Sequence, residues 1–371
     1  MKIVGIDVRL WNQTGVGRYI RNLIENLEKI DNKNEYVLFA RSEDYEEIKN
    51  KITNDKLQIV KTDIKWHSVS EQIKFANVLK KENLDLVHFP YFSVPIFYNK
   101  PYIVTIHDLI IHHFSTGKAS TLTLPIYMTK LFAYKYVIKK AAQNAKKIIA
   151  VSNATKEEIV DHLGVEGEKV EVVYNGIDKN FLKGMKDKKL IKEPYFLYVG
   201  NAYPHKNLEN LIFAFENILK TNKNVKLVLV GNKDYFYQRL KEKVNSLNMQ
   251  EAIVFYEKAD DKSLVNLYQN ALALVMPSLM EGFGLPVLEA MSNRCLVLVS
   301  DIPSLREICQ NNAIFFDPKN IADIYKNLEL VIKNPKIKEK FTEGGYKRSL
   351  LFSWEKSARE TLRIYEGSFS L

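Results

Sequence analysis

The feature that most constrains this chain is an alternation, sustained from one end to the other, of short and nearly continuous apolar runs with amphipathic stretches. Ile3–Val8, Tyr36–Ala40, Leu86–Phe89, Ile103–Ile106, Ile148–Val151 and Val170–Tyr174 form one series of runs. Tyr195–Val199, Leu227–Val230, Ile253–Tyr256, Leu272–Met276, Leu296–Ser300 and Ala313–Phe316 form a second. Helical periodicity lies between them, as in Arg18–Leu27. A strand that is apolar on both faces must be covered on both faces, which a parallel sheet flanked by helices achieves. Two such series in 371 residues predict an α/β chain of two doubly wound, Rossmann-like domains. The expected boundaries are 1–183, 184–352 and 353–371. The lysine-rich stretch Phe181–Glu193 serves as linker, and a last helix runs from about Trp354 to Glu366. Ligands of such sheets bind outside the carboxyl ends of the strands, so a cleft faced by both domains is the expected site.

A formal net charge of +10 favours anionic partners: phosphorylated ligands, nucleic acid or an acidic membrane face. The basic residues are spread without a recognition motif, so no nucleic-acid partner is expected. Cys295 and Cys309 sit in no CxxC pair and beside no histidine set, which predicts two reduced thiols and a cytoplasmic protein. Met1–Asp7 reads as a buried strand rather than a signal peptide, and no later run has the length to cross a bilayer.

Two segments follow strands of the second series and carry the chemistry. In Pro277-Ser278-Leu279-Met280-Glu281-Gly282-Phe283-Gly284-Leu285-Pro286, the glycines allow a tight loop that a ligand can approach closely. Pro286 suits the first turn of a helix. The free N–H groups of that helix start and the positive end of its dipole suit a diphosphate. Glu281 and Glu289 flank the turn, where carboxylates can hold ribose or hexose hydroxyls. The second segment, Gly200-Asn201-Ala202-Tyr203-Pro204-His205-Lys206-Asn207, sets a lysine after a glycine turn. Lys206 is thereby a candidate for stabilising the charge that builds on a departing diphosphate. Against these stand plainer readings: a structural strand–turn–helix junction, and a surface lysine.

The Glu281-x₇-Glu289 spacing resembles the E-x₇-E motif of glycosyltransferase family 4, the retaining enzymes of the GT-B fold, and the likeness extends over almost the whole chain. It implies that Glu289 binds the donor ribose, that Glu281 contacts hydroxyls of the transferred sugar, and that the backbone of Gly282, Phe283, Gly284 and Leu285 holds sugar and phosphates. It implies an acceptor-binding N-terminal domain, a nucleotide-sugar-binding C-terminal domain and a final helix that crosses back to the first domain. Many relatives carry an arginine where this chain has Asn201; either His205 compensates or one cation suffices. The Gly-Asn-x-x-x-His-Lys-Asn form is shared with bacterial mannosyltransferase-like members and points to GDP-mannose, with UDP-glucose or UDP-N-acetylglucosamine as alternatives. A nucleotide-sugar epimerase or a phosphorylase on the same architecture is the rival reaction. Asn293-Arg294-Cys295 and Glu257-Lys258 depart from the family pattern, the latter near the expected base pocket.

Three weaker signals come from the first half. Thr14-Gly15-Val16-Gly17-Arg18 lacks the third glycine of a dinucleotide fingerprint; by the resemblance, Gly15 and Gly17 touch the donor diphosphate. His107 ends a strand in His107-Asp108, and family members with this pair set the histidine against the transferred sugar. A metal site built from His107, His112 and His113 matches no standard spacing. The chain has no Asp-x-Asp, so no metal and no other cofactor is expected. From Leu109 to Lys156 there is no acidic residue, while Lys118, Lys130, Lys135, Lys139, Lys140, Lys146 and Lys147 alternate with Phe114, Tyr127, Phe132, Tyr134 and Tyr136. That pattern suits either an anionic membrane surface, with a glycan or lipid-linked saccharide as acceptor, or a solvated lysine face above an aromatic core.

Overall fold

The computed structural model describes residues 1–53, 56–114, 123–178, 181, 188–257 and 259–369. Lys118, Lys258 and part of the linker, 182–187, lie outside the described residues. The chain separates into two compact units, Met1–Gly176 with Ser353–Leu371, and Ile177–Phe352.

The first unit is built on seven parallel strands: β1 (Ile3–Asp7), β2 (Glu35–Ala40), β3 (Leu57–Lys61), β4 (Leu86–Phe89), β5 (Tyr102–Ile106), β6 (Lys147–Ala150) and β7 (Val170–Val172). They lie in the order β3-β2-β1-β4-β5-β6-β7. All residues of β4 and β5 are buried, as continuous apolar runs demand of central strands. The edge strand β3 is half exposed, and its Gln58 and Lys61 break the apolar run. This strand was absent from the sequence expectation for that reason. Helix Gly15–Ile30 starts three residues ahead of the expected Arg18 and buries Tyr19, Ile20, Leu23, Ile24 and Leu27 along one stripe. Gly17 permits that start: a Cβ there would overlap the carbonyl oxygens of Trp11 and Leu10.

The last helix, Trp354–Phe369, belongs to this first unit and so does cross back along the chain. It buries Trp354, Ala358, Thr361, Ile364 and Tyr365 at helical spacing and packs on helix Gly15–Ile30. Its Tyr365 hydroxyl meets Nδ1 of the fully buried His88 at 2.6 Å, and His88 Nε2 meets Thr105 Oγ1 at 2.8 Å. Burial lowers the His88 pKa to about 3, so the pin between sheet and helix is neutral.

The second unit has six parallel strands: β8 (Tyr195–Val199), β9 (Lys226–Gly231), β10 (Ile253–Glu257), β11 (Ala273–Met276), β12 (Val297–Ser300) and β13 (Ile314–Phe316). Their order, β10-β9-β8-β11-β12-β13, is the doubly wound 3-2-1-4-5-6 arrangement. The chain leaves β8 towards one edge and returns at β11 towards the other, so the loops after β8 and β11 rise side by side. Residues 188–190 are fastened to this unit: Asn266 Nδ2 donates to the Lys188 carbonyl at 3.1 Å, and the Leu190 N–H donates to Asn266 Oδ1 at 3.2 Å.

Candidate active site

In the second unit the two segments singled out in the sequence meet where the strand order reverses. The Leu279 N–H donates to the His205 carbonyl at 2.8 Å, and Asn207 Nδ2 donates to the Pro277 carbonyl at 3.0 Å. Asn207 manages this from a left-handed backbone (φ 59°), which asparagine tolerates better than most residues. The Tyr198 hydroxyl donates to the Asn201 carbonyl at 2.6 Å and the Tyr237 hydroxyl to the Gly200 carbonyl at 2.9 Å. Two phenols thus hold the glycine turn in place. Asn201 Oδ1 accepts the Tyr203 N–H at 3.4 Å, and its Nδ2 has no acceptor among the described residues.

The centre of the arrangement is an ion pair. Lys206 Nζ lies 2.7 and 2.9 Å from the two carboxylate oxygens of Glu281, and Ser278 Oγ donates to the same carboxylate at 2.6 Å. The side chains are 15% and 10% exposed, so the pair is shielded yet reachable. Burial pushes the Glu281 pKa up, but the Lys206 charge and its hydrogen bonds outweigh that and hold it below the usual carboxylate range. His205 is driven to about 4, by burial first and the Lys206 charge second. It is therefore neutral near pH 7 and does not supply the second cation considered for this loop. Lys206 carries that charge. Its ammonium has three donors, two of them spent on Glu281, which leaves one for an incoming phosphate oxygen.

Gly284 caps helix Leu285–Ser292 with φ 99°, and a Cβ there would meet Leu305 Cδ2 at 2.7 Å, so the position is closed to other residues. The Gly284 carbonyl accepts from the Val287 and Leu288 N–H groups at 3.0 and 3.2 Å. Among the described residues the N–H groups of Gly284 and Leu285 donate to no protein acceptor, and Pro286 has none to donate. Two adjacent unpaired amides at a helix start, on the loop whose Glu281 pairs with a lysine, can hold an anion of diphosphate size. Gly282 is partly exposed and has no positive φ, whereas Phe283 turns inward onto Phe352 (ring centroids 5.8 Å apart). Glu289 is 3% exposed, and its Oε2 accepts from the Tyr268 hydroxyl at 2.9 Å.

The remaining residues belong to the first unit. Gly15 is exposed with open space where a Cβ would stand, while Gly17 is taken up by packing. Tyr19, one turn on, sets its ring edge against His107 (5.0 Å, 82°) and so joins this turn to the end of β5. His107 Nε2 lies 2.9 Å from the Pro90 carbonyl, which can only accept, so the proton is on Nε2. Burial lowers the His107 pKa to about 4. A neutral ring protonated at Nε2 presents an Nδ1 lone pair, which suits a sugar hydroxyl.

The structure adds three points. The set His107, His112 and His113 does not converge: His107 turns to Pro90, His112 Nδ1 to the Tyr134 hydroxyl at 3.1 Å, and His113 to Glu158. A charged group behind β1 went unnoticed. Arg9, 2% exposed, binds Asp7 through Nε and Nη2 at 2.8 and 2.7 Å, Glu71 at 2.6 Å and the Ile64 carbonyl at 2.9 Å. No motif links residues 7, 9 and 71, and only Asp7 and Arg9 stand close in sequence. Finally, the aromatics of helix Leu124–Asn144 divide between two faces. Leu131 and Ile138 are buried and Tyr134 packs on Phe92 at 4.9 Å, whereas Met128, Phe132 and Tyr136 recur every four residues on the exposed side, Phe132 at 75%. Lys135 and Lys139 are exposed beside them. No helix among the described residues is long and apolar enough to cross a membrane.

Comparison with known proteins agrees with this architecture. Residues 13–181 match the Glycosyltransferase Family 4 model and residues 183–348 the model for Glycosyl transferases group 1. The O-antigen chain mannosyltransferase RfbU of Salmonella typhimurium is 29% identical over 269 residues, covering 72% of this chain and 70% of the relative. The O-antigen chain mannosyltransferase B of Escherichia coli is 26% identical over 293 residues, 76% of this chain and 74% of the relative. Among solved structures, sucrose-phosphate synthase of Thermosynechococcus elongatus superposes with a TM-score of 0.81 over the whole of both chains at 20% identity. At that identity the likeness establishes the fold, which is GT-B.

Proposed function

The chain belongs to the glycosyltransferases that join a family 4 domain to a group 1 domain, and from that premise we propose that it transfers a hexose from a nucleotide diphosphate donor with retention at the anomeric carbon. The observation that carries the reading is the Lys206–Glu281 pair, with the unpaired amides of Gly284 and Leu285 three and four residues along the same loop from Glu281. The amides and Lys206 take the diphosphate, Glu281 takes hydroxyls of the sugar and Glu289 the ribose. Asn201 adds polar contacts to the phosphates. As the bond from the anomeric carbon to the phosphate oxygen breaks, negative charge grows on that oxygen and Lys206 offsets it. The acceptor hydroxyl attacks on the same face and passes its proton to the departing phosphate. Fixed cation and amides do the work of a metal, so none is required at the diphosphate.

Mannose from GDP-mannose is the first choice of donor, supported by the two O-antigen mannosyltransferases among the relatives and by Gly200-Asn201 leading to His205-Lys206-Asn207. UDP-glucose and UDP-N-acetylglucosamine are the alternatives. Incubation with GDP-, UDP-, ADP- and dTDP-sugars, each with and without a saccharide acceptor, tests the reading. Sugar transfer from one donor only when acceptor is present is the expected outcome. Indifference to all four, or turnover of donor alone to an isomer, would refute it.

The acceptor is a glycan or lipid-linked saccharide, met at the cytoplasmic face of the membrane. This part rests on the exposed Met128, Phe132 and Tyr136 flanked by lysines, apolar anchors with cationic neighbours. Sedimentation with phosphatidylglycerol vesicles should carry the protein down, and Phe132→Glu should abolish that at low salt. Equal sedimentation of both proteins would exclude this helix as the anchor.

A further inference from the structure

The first unit holds a side-chain cluster that the transfer reaction leaves unused. Glu158 and His162 stand one turn apart on helix Asn153–Leu163, where an i, i+4 spacing puts both on one face. His113 reaches the same point from the end of the short helix Ile110–His113. His113 Nε2 lies 2.6 Å from Glu158 Oε2, His162 Nε2 lies 3.3 Å from the same oxygen, and the ligand atoms of all three lie within 4.8 Å of one another. The side chains are between 31% and 42% exposed, so an ion can enter from solvent.

We propose that His113, Glu158 and His162 form a binding site for a divalent transition metal of the zinc class, with two imidazole Nε2 atoms and one carboxylate oxygen as ligands. Zn–N and Zn–O distances of about 2.0–2.1 Å in a tetrahedron put ligand atoms roughly 3.4 Å apart. The cluster is therefore near its bound spacing before any ion arrives, and shifts of about 1 Å complete it. A hydrogen-bonded carboxylate between two imidazoles has the ligand chemistry of zinc rather than of calcium or magnesium, which take oxygen alone. On binding, the His113 ring proton now shared with Glu158 moves to Nδ1, His162 likewise offers Nε2 as a lone pair, and water takes the open fourth position. The His112 ring, 6.2 Å from that of His162, is fixed by its bond to Tyr134 and walls one side. The ion would bind the turn that follows His107-Asp108 to helix Asn153–Leu163, whose Thr155 hydroxyl touches the His107 carbonyl at 3.5 Å. This is a structural cross-link in the first unit, separate from the diphosphate loops of the second, and it stands whether or not the proposed transfer is correct.

Calorimetric titration of the chelator-treated full chain with ZnCl2 tests it, alongside Glu158→Gln and His162→Asn. One zinc per chain is expected, with at least about 10-fold weaker binding in each variant, since loss of even an outer partner of a metal ligand costs that much. CoCl2 in place of ZnCl2 should give the intense visible band of four-coordinate cobalt in the wild-type protein and not in the variants. Both substitutions are at partly exposed side chains outside the core; circular dichroism checks folding, and His113→Asn replaces either variant that fails that check. Absence of heat and of the cobalt band, or zinc binding of equal strength in all the proteins, would overturn the proposal.

Discussion

Lys206→Ala and Glu281→Ala are each expected to reduce transfer by at least about 10²-fold while the circular dichroism spectrum is unchanged, the scale on which one preorganised charge contact acts. The two residues are in contact, so their effects are expected not to add: the double variant should lose much less than the product of the single losses. Lys206→Ala removes the cation that faces the growing phosphate charge, and it takes away the largest influence that opposes burial at Glu281, leaving the Ser278 hydroxyl as its hydrogen-bond donor. The Glu281 pKa then rises from its lowered position. Glu281→Gln keeps the shape and Ser278 contact but loses the charge that orients Lys206. A distinction follows from kinetics. Loss in kcat and kcat/KM together marks an interaction that strengthens on the way to the transition state, whereas a rise in KM alone marks simple donor binding. The first pattern is expected for Lys206 and a mixture of the two for Glu281.

The largest stability effect is expected at Arg9. Its guanidinium serves Asp7, Glu71 and the Ile64 carbonyl, and it stacks over Phe75 at 3.8 Å. Glu71 is fully buried and also accepts from Ser93 Oγ at 2.6 Å and the His67 N–H at 2.8 Å. Arg9→Met keeps much of the packing but strands two carboxylates in the interior. Breaking a buried pair from one side costs about 3–5 kcal/mol, which for a unit of this size corresponds to a fall in Tm on the order of 10 °C. Burial already raises the Glu71 pKa against the opposing pull of Arg9. Without Arg9 it rises further, and a carboxyl whose folded pKa exceeds its unfolded one destabilises the fold as pH climbs from the unfolded value to the folded one. The deficit of Arg9→Met should therefore be smaller at pH 5 than at pH 8. Thermal unfolding at the two values checks both size and sign; a deficit below about 1 kcal/mol at pH 8 would mean the charges are solvated.

The contrast between these two sites shows what the sequence makes legible. Parallel strands buried on both faces announce themselves as apolar runs, so β4, β5, β11 and β12 could be placed before any coordinates, whereas the half-exposed β3 could not. The loops after β8 and β11 were legible for a related reason: glycine, proline and carboxylate types are concentrated there, and strand order puts both at the reversal of the sheet. What remained hidden depends on distance in three dimensions. Lys206 and Glu281 were each identified, but their pairing is a tertiary contact. Whether His205 or Lys206 alone supplies the charge of that loop turned on the burial of His205. Arg9 and Glu71, and His113 with the Glu158–His162 pair, come from separate elements whose local sequences carry no sign of one another.

The central claim is that Lys206, with the amides of Gly284 and Leu285, grips a diphosphate. Calorimetric titration of the wild type and Lys206→Ala with the nucleoside diphosphate of the working donor, and with its monophosphate, tests that grip directly. The wild type should prefer the diphosphate by at least about 10-fold, the worth of one charge-assisted hydrogen bond, and Lys206→Ala should lose most of that preference. An equal preference in the two proteins would place the phosphates elsewhere and contradict the site.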